Sequence, residues 1–205
     1  MRAHNVKQNT PEWELLRAGK PTMSEGNKLV TSVGEPSKSM VEYAKTLAAE
    51  KYAGRALSSF HGNSSTDRGH TLEPDAAEMY SFMRDVEVFK VGFITDDEET
   101  YGCSPDRGVG ENGMIEIKCL ETKGHIDMLL YYQKNKKPKS TYIVQPQGQM
   151  MTWEKEWCDL VFYHPELPTL IIRQEPDDKI IVPLKRQIEI VCGERDKILT
   201  MIKEI

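Results

Sequence analysis

Hydrophobic positions in the first third of the chain recur with the period of an α-helix, and capping residues mark where the helices begin. Thr10 can cap the first helix, Pro11 suits its first turn and Gly19 can end it. A second start is expected at Thr22 and Glu25, which have the spacing of a capping box. The chain is therefore predicted to open with helices.

Two longer helices are predicted to follow. The first covers about residues 37–53, places Met40, Tyr43 and Leu47 on one face, and is followed by Gly54. The second covers about residues 66–84 and places Glu73 beside small and apolar neighbours. The polar residues 58–66 between them predict a loop.

From residue 86 the pattern changes to short segments rich in β-forming residues, separated by turn residues. Strands are predicted at residues 86–94, 101–109, 114–119, 158–163 and 169–173. Helices are predicted at about residues 145–153 and 182–205, after a polar loop. Helices, then strands, then helices indicate one α/β (α+β) domain over residues 1–205, with a central mixed β-sheet flanked by helices.

Length and composition add limits to this picture. The 205 residues are 39% hydrophobic and 29% charged, which is typical of a soluble globular protein. No stretch approaches the roughly 20 apolar residues that span a bilayer, and the N-terminus lacks the apolar core of a secretory signal. A cytoplasmic protein without a membrane partner is expected. The widely spaced cysteines are interpreted as buried thiols: Cys103, Cys119, Cys158 and Cys192.

The formal net charge of −5 argues mildly against a nucleic-acid partner. Acidic residues that converge on bound cations would weaken this objection, because the metal then supplies positive charge. The distribution of charge also matters, since one segment is densely basic and contains Lys134, Lys136, Lys137 and Lys139. Such a run is usually a solvated loop and less often a phosphate contact.

The stretch GCSPDRGVGENGMIEIKC, residues 102–119, carries the strongest chemical signal. In a strand over residues 114–119, side chains alternate between the two faces of the sheet. Ile115 and Ile117 would point into the core, while Glu116 and Lys118 would point together to the other face. A carboxylate and an ammonium group would therefore share one surface of the strand.

Asp106 lies ten residues before Glu116, on the preceding arm of a predicted hairpin. The Asn112-Gly113 pair between them is a turn signal, so the two arms can fold back side by side. Both carboxylates would then meet at one end of the sheet, together with the Lys118 ammonium group. Mg²⁺ prefers oxygen ligands of this kind, and a lysine beside the metal can hold the attacking water.

Two observations weigh on this interpretation. The alternative is a surface salt bridge between Glu116 and Lys118, which would stabilise the protein little. A second Glu-x-Lys sequence, at residues 121–123, lies in a predicted loop and follows no Ser-Pro-Asp element. The spacing to Asp106 therefore distinguishes the first copy from the second.

Asp106-x9-Glu116-Ile117-Lys118, preceded by Pro105, resembles the PD-(D/E)xK nuclease motif. The wider sequence resembles the phage lambda exonuclease family, the YqaJ-like viral recombinases, from about Glu12 to the final helix. Three further motifs carry this resemblance: Glu12-Trp13-xxx-Arg17-x-Gly19, Thr22-x-Ser24-Glu25 and Arg68-Gly69-xxx-Glu73. The resemblance implies a restriction-endonuclease-like core.

The resemblance also implies roles for single residues. Asp106, Glu116 and the backbone carbonyl of Ile117 would hold the metal ions, and Glu73 would serve a second ion directly or through water. Lys118 would orient the nucleophilic water and Gln147 would assist, although Gln145 or Gln149 could take that role. A 5′-phosphate would be bound by Arg17, Ser24 and Ser104. The alternatives are that Ser24 only caps a helix and that Arg17 is a solvated helix residue.

The expected function is a Mg²⁺-dependent 5′-to-3′ exonuclease, with Mn²⁺ as a substitute, that acts on the ends of double-stranded DNA. It would hydrolyse the 5′-phosphorylated strand to mononucleotides and leave a 3′ single strand for recombination by annealing. The family further implies a homotrimer ring whose channel the basic segment could line, a single-strand annealing partner, and a phage or prophage gene in a bacterial cytoplasm. The alternatives are an endonuclease or resolvase on the same core, or an inactive module that binds DNA ends.

Overall fold

The structure is a computed structural model that describes residues 1–57 and 64–205. Its α-helices are α1 (Pro11–Arg17), α2 (Met40–Ala53), α3 (Ser64–Arg84), α4 (Thr122–Asn135), α5 (Val144–Trp153) and α6 (Asp178–Lys203). Short 3-10 helices cover Met23–Lys28 and Ser140–Tyr142. Its strands are β1 (Arg2–His4), β2 (Val88–Lys90), β3 (Phe93–Thr95), β4 (Gly102–Cys103), β5 (Arg107–Val109), β6 (Gly113–Lys118), β7 (Trp157–Phe162) and β8 (Leu170–Gln174).

The N-terminal helices follow from their capping residues. The Thr10 hydroxyl accepts from the Trp13 amide, and Pro11 opens α1 as predicted. The start predicted at Thr22 is only a 3-10 helix, and Thr22 makes no side-chain cap there. Gly54 ends α2 in the left-handed conformation, at φ 63°. Of the loop predicted at residues 58–66, residues 58–63 lie outside the described part, and α3 already begins at Ser64.

The central sheet has the strand order β2-β5-β6-β7-β8. Strands β6 and β7 are parallel and the other neighbours are antiparallel, so the predicted mixed sheet flanked by helices is confirmed. A smaller antiparallel sheet has the order β1-β3-β4.

Two predicted strands are each divided between the sheets. Residues 86–94 form β2 and β3, which separate at Gly92, where a side chain would collide with the His4 carbonyl. Residues 101–109 form β4 and β5, which separate at Ser104, Pro105 and Asp106. Pro105 has no amide hydrogen for a ladder bond, so the chain leaves one sheet before it enters the other. Asp106 therefore lies just outside a strand, at the entrance to β5.

The interpretation of residues 121–123 and of the following residues as a loop is wrong, because Thr122–Asn135 forms α4. His125 and Met128 are its buried side chains, so the apolar pattern is sparse. The lysine run begins within this helix at Lys134, and Lys136 ends it in the left-handed conformation at φ 55°. Gly124 near the start of the helix and the basic run at its end favoured the interpretation as a loop.

Alternate residues of β6 pack into different layers. Ile115 and Ile117 pack with Ala76, Ala77 and Tyr80, so α3 covers that face. The opposite face contributes Met114 to a core formed largely with the helices α2, α5 and α6. The end of β6 that bears Glu116 and Lys118 lies between these layers.

The cysteines are free, and Cys103 and Cys158 are buried as predicted. Cys119 and Cys192 are only partly buried. Within residues 1–57 and 64–205, the helices are too short or too polar to cross a membrane.

Candidate active site

The hairpin of β5 and β6 brings Asp106 beside the middle of β6. Arg107 pairs with Ile115 and Val109 with Gly113, so the residue before β5 reaches the level of Glu116 and Ile117. One Asp106 carboxylate oxygen, Oδ2, accepts from the Ile117 amide at 2.6 Å. The juxtaposition of both carboxylates, which the spacing predicted, is present in the structure.

Glu116 is 3% exposed and is held by donors from two elements. Its Oε1 accepts from Lys118 Nζ at 2.7 Å and from Gln145 Nε2 at 2.7 Å. Its Oε2 accepts from Gln149 Nε2 at 2.8 Å. Lys118 Nζ also donates to Gln145 Oε1 at 3.2 Å. Strand β6 and helix α5 therefore fix the position of this carboxylate together.

Negative charge is in excess at this cluster. Burial raises the pKa of the Asp106 carboxyl well above its ordinary value, and the Glu116 and Glu73 carboxylates raise it further. Burial alone would lower the pKa of Lys118, but attraction to Glu116 and Asp106 outweighs it and the pKa is raised. Two carboxylates face one ammonium group, so a bound cation would relieve their repulsion.

These ligands suit a hard cation that keeps part of its water shell. Among the side chains that the structure describes, those of residues 1–57 and 68–205, no group of three or more His, Cys, Asp or Glu could hold a metal by itself. Mg²⁺ commonly takes one or two carboxylates and completes its six oxygen ligands with waters and substrate. Asp106 and Glu116 supply the carboxylates, and Ile117, whose carbonyl was predicted as a ligand, lines the same cleft.

Glu73 projects from α3 into the same cleft. Arg107, which the sequence had not singled out, donates from Nη1 to Glu73 Oε1 at 2.5 Å. Arg107 is 7% exposed and faces α3 because it alternates with Gly108 along β5. One indication in the sequence that Arg107 lies near the site was its position directly after Asp106.

The structure corrects the placement of Gln147. Its amide nitrogen donates to the Glu175 carbonyl at 2.9 Å, and its amide oxygen accepts from the Asp177 amide at 2.8 Å. These bonds tie α5 to the segment between β8 and α6, away from the carboxylates. Gln145 and Gln149, the alternatives left open by the sequence, contact Glu116 instead.

A second group of polar side chains lies around Arg17. Arg17 Nη2 donates to Ser24 Oγ at 3.2 Å and to Thr22 Oγ1 at 3.4 Å. The guanidinium lies over the Trp13 ring, 4.0 Å from its centroid, and burial lowers the pKa of Arg17. Trp13 Nε1 donates to Ser104 Oγ at 2.8 Å. The residues predicted to bind a 5′-phosphate are thus brought together, and Trp13 connects them.

One cleft of about 660 Å³ contains both groups. Arg17, Ser24 and Ser104 line it together with Glu73, Asp106, Glu116, Ile117, Lys118 and Gln145. Carboxylates that could hold a cation and donors that could hold an anion therefore share one opening. That arrangement suits a substrate whose phosphates span both.

The predicted channel lysines are not among the residues that line this cleft: Lys134, Lys136, Lys137 and Lys139. Lys136 Nζ lies 5.7 Å from the centroid of Tyr132, and Lys139 Nζ lies 5.8 Å from that of Tyr131. Lys134, Lys136 and Lys137 are exposed at the end of α4 and just after it. Their role in a channel stays a prediction.

Comparisons with known proteins agree with the motif-based resemblance. Residues 12–156 match the family model of the YqaJ-like viral recombinase domain. The chain is similar to an alkaline exonuclease (LHK-Exo) from Laribacter hongkongensis, with 32% identity, coverage of 95% of this chain and 97% of that one, and a TM-score of 0.82. The same values hold for the crystal structure of LHK-Exo in complex with dAMP.

A more distant likeness extends only to the fold. A phage-related exonuclease from Haemophilus somnus 129PT is 17% identical, with coverage of 89% of this chain and 96% of that one and a TM-score of 0.72. A search of curated proteins gave no match.

Proposed function

Because the chain belongs to the family of YqaJ-like viral recombinase domains, we propose that it is a Mg²⁺-dependent DNA exonuclease that degrades the 5′-phosphorylated strand of a duplex end. The likeness to an alkaline exonuclease at 32% identity supports the exonuclease assignment. The observation that carries the proposal is the cluster of Asp106, Glu116 and Lys118, in which two carboxylates face one ammonium group inside a cleft.

The residues of the cluster fit a magnesium site, and each would have a separate role in it. Asp106, Glu116 and the Ile117 carbonyl would hold Mg²⁺, which supplies polarisation of the scissile phosphate and charge stabilisation on the leaving oxygen. Gln145 and Gln149 fix the Glu116 carboxylate from α5, which keeps its oxygens aimed at the cleft. Rigid placement of this kind reduces the reorganisation needed at the moment of reaction.

Lys118 acts on the attacking water. Its raised pKa keeps it as an ammonium group in the absence of a cation, and Glu116 and Gln145 accept from Nζ at 2.7 Å and 3.2 Å. A third N–H remains to orient the attacking water. A hydroxyl or amide side chain could not supply both the charge and these bonds.

Selection of a 5′-phosphate rests on the other end of the cleft. Arg17 presents a fork of donors, and the hydroxyl groups of Ser24 and Ser104 lie near it. Because Ser104 accepts from the Trp13 indole, its own hydroxyl hydrogen is left to donate to an anion. A terminal phosphate anchored there would set which phosphodiester reaches the carboxylates, and thereby the 5′-to-3′ direction.

The finer features of the family belong to the same proposal. The enzyme releases mononucleotides, leaves a 3′ single strand for annealing, accepts Mn²⁺, works in a bacterial cytoplasm and hands its product to a single-strand annealing protein. A homotrimer ring would keep the duplex bound between cuts, with the basic segment Lys134, Lys136, Lys137 and Lys139 along its channel. Light scattering should give a mass near about three chains, and a strictly monomeric protein would exclude the ring.

A gel assay tests the central proposal. Linear duplexes with a 5′-phosphate or a 5′-hydroxyl, and a covalently closed circle, are incubated with Mg²⁺ or with a chelator. We expect rapid release of mononucleotides from the phosphorylated linear duplex, slower digestion of the hydroxyl end, and no cleavage without metal. Cleavage of the closed circle would favour the endonuclease or resolvase alternative, and inactivity on every substrate would favour the inactive module.

A further inference from the structure

Arg107 belongs to a row of residues that crosses the central sheet on the face covered by α3. Strand pairing aligns Arg107 with Ile115, Ile115 with Asp159, and Asp159 with Arg173. Neighbours in register point to the same side of a sheet, so all four side chains face α3. Arg107 is therefore directed away from the core of α5 and towards Glu73.

The Arg107 guanidinium contacts both Glu73 and Asp106, two residues of the candidate site. Arg107 Nη1 is 2.5 Å from Glu73 Oε1 and 2.5 Å from the backbone carbonyl oxygen of Asp106. Glu73 lines the cleft with Asp106 and Glu116, and its charge contributes to the raised pKa of Asp106. The positive charge of Arg107 thus lies between the Glu73 carboxylate and the backbone carbonyl of Asp106.

The charges of the cluster limit how many cations it can accept. The carboxylates of Asp106, Glu116 and Glu73 face the cationic groups of Lys118 and Arg107. With all five groups charged, their net charge is −1. One divalent ion changes it to +1, which suits an incoming phosphate. A second divalent ion at Glu73 would lie against the buried guanidinium, where like charges repel strongly because water screens them little.

We propose that the Arg107 guanidinium takes the place of a second divalent cation at Glu73, so that each chain binds a single Mg²⁺ ion. This inference rests on the proposed nuclease function and deepens it. Glu73 is then not a metal ligand in the free protein, and Arg107 is a positioning residue that holds Glu73 beside Asp106.

A different explanation is that the ion pair only anchors α3 to the sheet. That anchor exists elsewhere on the same face, because Tyr80 donates to Asp159 at 2.8 Å and Arg173 donates to both Asp159 oxygens at 2.6 Å and 2.8 Å. The pair of Arg107 and Glu73 differs from this anchor because Glu73 also lines the cleft.

Mn²⁺ binding to the full chain without DNA tests the proposal, with free Mn²⁺ followed by electron paramagnetic resonance. The variants are Glu73→Gln, Arg107→Gln, the charge-matched double variant Glu73→Gln/Arg107→Gln, and Asp106→Asn. We expect one ion per chain in the wild type and in Glu73→Gln. Arg107→Gln should gain a second ion through the released Glu73, and the double variant should lose it again. Asp106→Asn should weaken the remaining site by at least about tenfold.

The failures of the two claims are distinguishable. Two ions in the wild type and one in Glu73→Gln would overturn the role of Arg107 and leave the nuclease assignment intact. A folded Arg107→Gln variant that binds one ion would overturn it as well. No Mn²⁺ binding by the wild type would contradict the proposed function itself. If Arg107→Gln does not fold, Arg107→Met takes its place in the same measurement, and one ion in a folded Arg107→Met variant would overturn the proposal.

Discussion

Glu116 on β6 and Asp159 on the neighbouring strand β7 are buried carboxylates of the same sheet, yet their surroundings differ. Asp159 receives a bidentate pair of bonds from Arg173 and one from the Tyr80 hydroxyl, so its charge is balanced. Glu116 receives bonds from one ammonium group and two neutral amides, and it adjoins the Asp106 carboxylate. Their positions in the register place the two side chains on opposite faces.

The difference separates a charge-balanced cluster from the cluster that we propose to be the active site. A carboxylate whose partners neutralise it contributes to the position of α3 and has no need of a further ligand. A cluster with excess negative charge costs stability, and a bound cation would offset that cost, which is typical of functional sites. Burial therefore does not distinguish the proposed active site from the Asp159 cluster, whereas the balance of charge does.

The largest effect is expected from Asp106→Asn and Glu116→Gln. Each should reduce digestion of a linear duplex with Mg²⁺ by at least about a thousandfold, or about 4 kcal/mol of transition-state stabilisation. Asp106→Asn should not lower the melting temperature of the metal-free protein, because it removes one of two repelling carboxylates. Glu116→Gln should lower it, because an amide NH2 group replaces an oxygen that accepts from Lys118, Gln145 or Gln149. Glu111→Gln, an exposed carboxylate in the turn of the same hairpin, is the matched control and should stay active. If Asp106→Asn digests the duplex at nearly the wild-type rate, the cluster of Asp106 and Glu116 is not the active site.

The balanced cluster should respond in the opposite manner. Asp159→Asn leaves Arg173 without its carboxylate, and we expect unfolding to become easier by about 2–3 kcal/mol, since Arg173 is partly exposed. Cleavage per folded molecule should remain close to that of the wild type at low temperature. Denaturant unfolding and digestion assays on the same preparation measure both quantities. A stable but inactive variant would mean that Asp159 belongs to the catalytic machinery.

The sequence predicts those parts of the site that depend on short-range patterns, and not those that depend on how the strands pair. The alternation of β6 and the Asn112-Gly113 turn were sufficient to bring Asp106, Glu116 and Lys118 together, because both are short-range rules. Arg107 could not be assigned before its strand was known to pair with β6 on the face of α3. The boundary between β4 and β5, set at Pro105, was equally hidden in a run of β-forming residues.

The error at Gln147 has a geometric cause. Gln145 and Gln149 are four residues apart, so in a helix they share a face, whereas Gln147 points to the other side. Helix α5 begins at Val144, and Pro146 fits in its first turn, where no amide hydrogen is needed. The sequence held this information, but the resemblance to a family favoured the middle glutamine. Helix α4 was missed because the polar and basic residues at its end and just after it were interpreted as one long loop that began near residue 121.

Arg17 contributes a positive charge to the same cleft, and its loss should have a moderate effect. Arg17→Gln should slow digestion of a 5′-phosphorylated end by about 10- to 100-fold, equivalent to about 1.5–3 kcal/mol for a charged hydrogen bond. Digestion of a 5′-hydroxyl end should change much less, so the preference should disappear. Rates on both substrates, measured with wild type and variant, provide the comparison. Equal slowing on both ends would assign Arg17 to folding rather than to phosphate recognition.

The smallest effect concerns a paired carboxylate at the surface. Hydrogen bonds from Arg195 lower the pKa of Asp196 to about 2, burial opposes this shift, and Lys51 adds to it. Because the folded pKa is depressed, the stabilisation is present above about pH 4 and is lost as the pH falls towards 2. Asp196→Asn should lower stability by less than about 1 kcal/mol at neutral pH, since the site is half exposed. Melting temperatures of both proteins should converge in acid, and a constant difference would exclude this linkage.

The stability of the protein as a function of Mg²⁺ concentration tests most directly whether the Asp106 and Glu116 cluster is a cation site. An ion present at about a hundred times its dissociation constant stabilises the folded state by about 2.7 kcal/mol, which should raise the melting temperature by about 5–10 °C. We expect this rise in the wild type and in Asp159→Asn, and its loss in Asp106→Asn and Glu116→Gln. An equal rise in all four proteins, or none in the wild type, would contradict the assignment of this cluster as the metal centre.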